Sequence, residues 1–109
     1  MAQNFRNQIA RNTGTSAVDI LNAVDSYDTV IGIRLANVGT SSISVDVYIV
    51  RSSTNYYLIK SAPIPVGGSL ELIDGGAKVV LQSGDKISAV STAASSLDSV
   101  VSYIDTIST

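Results

Sequence analysis

Two runs of alternating residues, separated by a stretch of turn formers, leave few folds open to this 109-residue chain. Ile43, Val45, Val47 and Ile49 alternate with Ser44, Asp46 and Tyr48, and Ile31, Ile33 and Leu35 alternate with Gly32, Arg34 and Ala36. Successive side chains of a strand point to opposite faces, so each run can bury one face and leave the other to solvent. Between them Asn37-Val38-Gly39-Thr40-Ser41-Ser42 should reverse the chain. The remainder follows the same rhythm. Ser52 to Asn55 precedes Tyr56–Lys60, Gly67-Gly68 leads into Leu70 and Leu72, and Asp74-Gly75-Gly76 turns toward Val79 and Leu81. At Ser83-Gly84-Asp85 a glycine can supply the positive φ of a tight reversal before Ile87–Ser91. Pro63 and Pro65 exclude helix and central-strand pairing in their segment and predict an edge or corner.

With Ser16–Val24 as a strand and Leu97–Ile107 as the last, the count is about eight. Ser16–Val24 also fits a helical turn. In the last segment Val100 and Ile104 compete with Val101 and Tyr103 for the inner face. Apolar residues form 45% of the chain, enough for one core, and the bias to Val and Ile favours pleated surfaces over helices. The expected fold is all-β, a two-layer antiparallel β-sandwich, and strand number alone fits both a jelly roll and an immunoglobulin-like order.

Residues 1–15 read differently. They carry Arg6 and Arg11 and no acid, whereas five of the seven basic residues and all nine acidic ones follow. Phe5 and Ile9 stand four apart, so a short helix would set them on one face, and Asn12 and Gly14 would end it. Two parts are therefore expected: an N-terminal arm, 1–15, and a sandwich domain, 16–109. Phe5, Arg6, Ile9 and Arg11 are the candidate contacts of the arm with a partner.

The absence of His and Cys removes more chemistry than any motif adds. No Ser-His-Asp or Cys-His nucleophile can be assembled, no disulfide can form, and the usual Cys/His zinc site is excluded. No phosphate-cradling or dinucleotide glycine pattern is present. Carboxylate pairs, Asp25 with Asp28 or Asp74 with Asp85, are the surviving enzymatic option, but each residue sits at a strand end or turn where Asp bonds its own backbone. Asp74 and Asp85 also lack the regular acidic spacing of a calcium loop. No catalytic residue, cofactor or metal is expected. A net charge of −2, with Arg34, Arg51, Lys60, Lys78 and Lys86 scattered among acids, offers no stripe for nucleic acid. No apolar run approaches the length of a membrane span, which predicts a soluble protein.

Tyr48, Tyr56 and Tyr57 are the main aromatic concentration. Adjacent strand residues face opposite ways, so Tyr56 and Tyr57 cannot share one inner face. They fit a cross-strand pair with one ring in the core and one capping an edge, a subunit contact, or a ring platform for a ligand such as a sugar.

The run from Thr29 to Asn37 (Thr-Val-Ile-Gly-Ile-Arg-Leu-Ala-Asn), followed by Ile-Ser-Val-Asp-Val-Tyr-Ile-Val from Ile43 to Val50, resembles small virion proteins of tailed bacteriophages, especially those infecting marine bacteria. So do Tyr57-Leu-Ile-Lys-Ser-Ala-Pro-Ile-Pro-Val-Gly-Gly-Ser-Leu-Glu-Leu-Ile-Asp-Gly-Gly76 and Lys78-Val-Val-Leu-Gln-Ser-Gly-Asp-Lys-Ile87, and the resemblance extends over residues 29–107. It implies a structural protein made in the host cytoplasm and built into the virion, as capsid decoration or cement, or in the neck, tail or fibre. Its partners would be other virion proteins and further copies of itself in a homo-oligomer. It supplies no catalytic residues. The competing expectation is a carbohydrate- or host-receptor-binding sandwich module that uses Tyr56 and Tyr57.

Overall fold

The computed structural model describes residues 4–24, 28–73 and 79–105. They form nine strands: β1 (Asn4–Thr13), β2 (Val18–Leu21), β3 (Asp28–Asn37), β4 (Ile43–Arg51), β5 (Thr54–Ile64), β6 (Ser69–Ile73), β7 (Val79–Leu81), β8 (Lys86–Ser91) and β9 (Leu97–Asp105). All pairings are antiparallel and they are nested: β4 with β5, β3 with β6, β2 with β8 and β1 with β9. The chain is in effect one long hairpin, rolled so that these pairs fall alternately in two sheets. The pairings of β9 with β3 and of β8 with β4 then join them laterally. One sheet runs β1-β9-β3-β6, with β7 beside the start of β3, and the other runs β2-β8-β4-β5. This order is a jelly roll. An immunoglobulin-like sandwich pairs several consecutive strands, whereas β4 and β5 are the one consecutive pair among the described residues.

The core is what the alternation demands. Ile33 and Leu35 from β3, Val45 and Val47 from β4, Ile87 and Ala89 from β8, and Leu97 and Val101 from β9 meet between the sheets, each at most 1% exposed. Burial of each larger side chain contributes about 1.5–3 kcal/mol. In β9 the phase is settled: Leu97, Ser99 and Val101 face inward, and Val100 faces out. In β3 one expectation fails. Ile31 does not share a buried face with Ile33 and Leu35, because a bulge against β9 between Val30 and Gly32 resets the alternation. Val30 takes the inner position, and Ile31 stays half-buried beside Phe5 and Asn7.

The segment read as an N-terminal arm is a strand from Asn4 to Thr13, paired with β9, and not a short helix. The i, i+4 spacing of Phe5 and Ile9 places them on one face of a strand as well as of a helix, and β9 supplies the backbone partners that decide between the two. Ser16–Val24 contains β2, so its strand reading holds over Val18–Leu21. Gly84 adopts φ +91° as expected, and its N–H donates to the Val24 carbonyl at 2.7 Å. Asn37 closes the turn after β3. Its Nδ2 donates to the carbonyls of Ser41 (2.8 Å) and Ile64 (3.0 Å), and its Oδ1 accepts from the Gly39 N–H, which ties one sheet to the other. Asp25, Asp74, Lys78 and the Asp74-Gly75-Gly76 turn lie outside the described residues.

Candidate assembly surface

β1 is the outer margin of its sheet and lies over β2, the margin of the other. Gln8 and Ala10 turn inward; Ala10 packs on the core, and Gln8 clasps the residue that follows β2. The Gln8 side-chain carbonyl accepts the Asn22 N–H at 2.9 Å, and its amide donates to Asn22 Oδ1 at 3.3 Å. The odd residues point the other way. Phe5 and Ile9 are 73% and 71% exposed on the outer face of the sheet, with Asn7 between them. Their cross-strand neighbours on β9 are also apolar: Phe5 stands opposite Ile104, and Ile9 opposite Val100. Two shallow hollows adjoin these pairs. One of about 380 Å³ is lined by Phe5, Asn7, Ile31 and Ser102, and one of about 550 Å³ by Ile9, Arg11, Asp98 and Val100.

The charges of this strand are partly satisfied within the chain. Arg6 Nε lies 3.0 Å from Asp105 on β9. Arg11 sits at a bulge where β1 slips against β9 between Ala10 and Thr13. There Asn12 takes φ 56° and its N–H donates to Asp98 Oδ1 at 2.9 Å. From Asn4 to Ala10 the register is unbroken.

Tyr56 and Tyr57 are elsewhere, on β5 at the far margin of the other sheet, so the structure divides the six candidate contact residues into two surfaces. Tyr57 packs across the strand on Tyr48, ring centroids 5.1 Å apart at 52°, and Lys60 Nζ lies 4.5 Å from the Tyr57 centroid. Tyr48 is 8% exposed although it faces away from the core. Burial, then the neighbouring Tyr57, raises the pKa of its hydroxyl. Tyr56 is 56% exposed. The cross-strand pair forms on the outer face, not with one ring in the core as expected, because the alternation that points Val47 and Ile49 inward turns Tyr48 outward.

One carboxylate is a buried structural anchor. Asp85, 1% exposed, accepts from Arg51 Nε (2.8 Å) and Nη2 (2.6 Å) and from the Gln82 N–H (2.9 Å). The Arg51 hydrogen bonds hold its pKa below the usual carboxylate range, outweighing the opposite effect of burial. Asp28 and Asp105 line a cavity of about 250 Å³ with Gln8, Asn22 and Tyr103. Burial and then the Asp105 charge raise the pKa of the Tyr103 hydroxyl above its ordinary value. Among the described residues no three acidic side chains gather as a metal site would require.

With this geometry in view, the comparisons give a fold and no family. No family model matches the chain, and no curated protein matches its sequence. Its fold is shared with two chains of known structure. A chain of the Bacillus endospore appendages, a family of disulfide-linked pili, superposes with a TM-score of 0.54 at 17% identity, covering 98% of this chain and 88% of that one. A chain of the T13 IBDV viral particle gives a TM-score of 0.58 at 7% identity over 94% of this chain. The present chain corresponds to 31% of that polypeptide.

The apolar surface beside Phe5 and Ile9 was only half visible in the sequence. Val100 and Ile104 were contenders for the core, and Ile31 was counted in it. The signal for Val100 lay in Leu97, Ser99 and Val101, which share one parity and leave Val100 on the other.

Proposed function

We propose that this protein is a structural subunit of a tailed-phage virion, held in place by contacts between subunits. The observation that carries the reading is the β1 margin: a long strand with one edge unpaired among the described residues, whose outward face bears exposed Phe5 and Ile9. Exposed backbone donors and acceptors beside apolar side chains form a template for another chain. The jelly-roll fold agrees with it, since the similar chains named above build a pilus and a viral particle. The resemblance of residues 29–107 to small tailed-phage virion proteins supplies the particular home.

The test is mass spectrometry of purified virions with copy number per particle. Hundreds of copies are expected for a capsid position, and a dozen or fewer for the neck or tail. Absence from particles ends the phage reading. A carbohydrate- or receptor-binding role rests on the exposure of Tyr56 and Tyr57. Binding on a glycan array that disappears in Tyr56→Ala would favour it instead.

A further inference from the structure

We propose that β1 pairs antiparallel with β1 of a second copy about a twofold axis at Asn7, joining two sheets into one. This rests on the reading of the chain as an assembly subunit, but not on a phage as its home.

The four margins of the sandwich differ in what they can offer. β2 has four residues, and β6 and β7, which share the margin along β3, have five and three. β5 is longer, but its register against β4 is broken twice, and it carries Pro63. β1 alone among the described margins presents seven residues in unbroken register, Asn4 to Ala10, ending where the bulge at Asn12 turns the strand. The middle residue of that segment is Asn7.

Laid antiparallel on itself about Asn7, the segment is self-complementary. Asn4 opposes Ala10, Phe5 opposes Ile9, Arg6 opposes Gln8, and Asn7 meets its own copy. On the outer face this extends the two apolar pairs already present. Ile104 and Phe5 of one copy continue into Ile9 and Val100 of the other, and symmetry repeats the rung on the opposite side of Asn7. Phe5 and Ile9, the most exposed large apolar side chains in the described structure, thereby gain cross-strand neighbours on both sides. Charge fits the same register. A strand with two arginines and no acid is an unpromising partner for itself, yet Arg6 is answered by Asp105 of its own chain and faces the neutral Gln8. Arg11 lies beyond the paired segment. A self-matched surface of this kind closes as a twofold dimer instead of growing as an open array.

The natural lack of cysteine makes the register directly testable. Across an antiparallel pair opposed residues lie about 4.5–5.5 Å apart, within the Cα separation a disulfide bridges. Asn7→Cys is expected to give a disulfide-linked dimer under mild oxidation. Phe5→Cys mixed with Ile9→Cys should cross-link to each other, and neither to itself. Adding Ile9→Lys to Asn7→Cys should reduce the yield about tenfold, the effect of weakening association by one decade. All these sites are exposed, and a β-type circular-dichroism spectrum confirms folding. A dimer in analytical ultracentrifugation of the unaltered protein supports the proposal. A monomer, an open polymer, or failure of Asn7→Cys to link to itself overturns it. If the protein is monomeric yet incorporated into particles, the twofold pairing is wrong and the subunit reading stands. If it is monomeric and enters no assembly, both fail.

Discussion

β1 and β5 are margins of nearly equal length, 10 and 11 residues, one on each sheet, and they treat their free edges in opposite ways. β5 slips twice against β4, places Ser61 in the left-handed region (φ 56°) and carries Pro63 near its end. Each device spoils a regular ladder for a further strand. β1 has a single bulge, near its end, and an even run before it. The anchoring differs too. The hairpin joining β4 to β5 is fixed to the turn before β8 by the exposed Arg51 on the buried Asp85, whereas β1 is held by the Arg6–Asp105 pair and the Gln8–Asn22 clasp on the surface. A jelly roll thus has the means to guard an edge, and this one applies them to β5 and not along Asn4–Ala10. That asymmetry is expected of a margin reserved for pairing.

The largest effect should come from cutting the buried anchor of the guarded side. Asp85→Ala leaves the Gln82 N–H and the Arg51 guanidinium without their acceptor and is expected to lower unfolding stability by about 2 kcal/mol. That corresponds to roughly 10 °C in Tm. The sign of its pH dependence follows from its depressed pKa. The contribution is fully present above the unfolded value of about 4 and is lost as pH falls through the lower folded value. Urea unfolding from pH 7 down to pH 2 should show this acid limb in the natural protein and a flatter one in Asp85→Asn. An identical acid limb in the two would show that the carboxylate does not anchor the hairpin.

This contrast between margins was legible in the sequence only on one side. Pro63 and Pro65 announced an edge, because a missing N–H and a fixed φ are local properties. The alternation at Ile43–Ile49 likewise determined which side chains meet the core. β1 lacked such a signal. Asn4–Ala10 is polar at most positions, and its strand conformation depends on hydrogen bonds to residues about a hundred places away. The bulge that turns Ile31 outward is equally non-local, since it exists only against β9. Jelly-roll order was out of reach for the same reason: nesting is a property of pairing, not of any one strand. Of the candidate contacts, Phe5 and Ile9 shared a face by spacing alone, but their continuation into Ile104 and Val100 required the register.

A smaller effect sharpens what guards β5. The Asp46 carboxylate accepts the Ser61 N–H at 2.7 Å and so braces the bulge. Asp46→Ala is expected to destabilise by about 1 kcal/mol, the loss of one charge-assisted hydrogen bond near the surface. Hydrogen exchange at Ser61 should accelerate more than at the centre of β4. If instead Ser61 keeps its protection, the bulge is held by backbone geometry alone, and the guard on β5 is stronger than its side chains indicate.

The smallest effect belongs to the open margin. Arg6 and Asp105 form a pair with the arginine side chain 55% exposed, and such pairs contribute little against solvent screening. Arg6→Ala should change unfolding stability by no more than about 0.5 kcal/mol in thermal or urea melts, while 0.5 M salt should leave the natural protein nearly as stable as before, since screening shortens to about 4–5 Å there. Exchange of the amides from Phe5 to Ile9 is the finer readout. If Arg6→Ala exposes them all without moving the global melt, β1 opens as a unit separate from the sandwich, the behaviour of a strand whose remaining stability is supplied by a neighbour. If the whole molecule loses more than about 1 kcal/mol, β1 is as integral to the fold as β5, and the free edge is a by-product of topology.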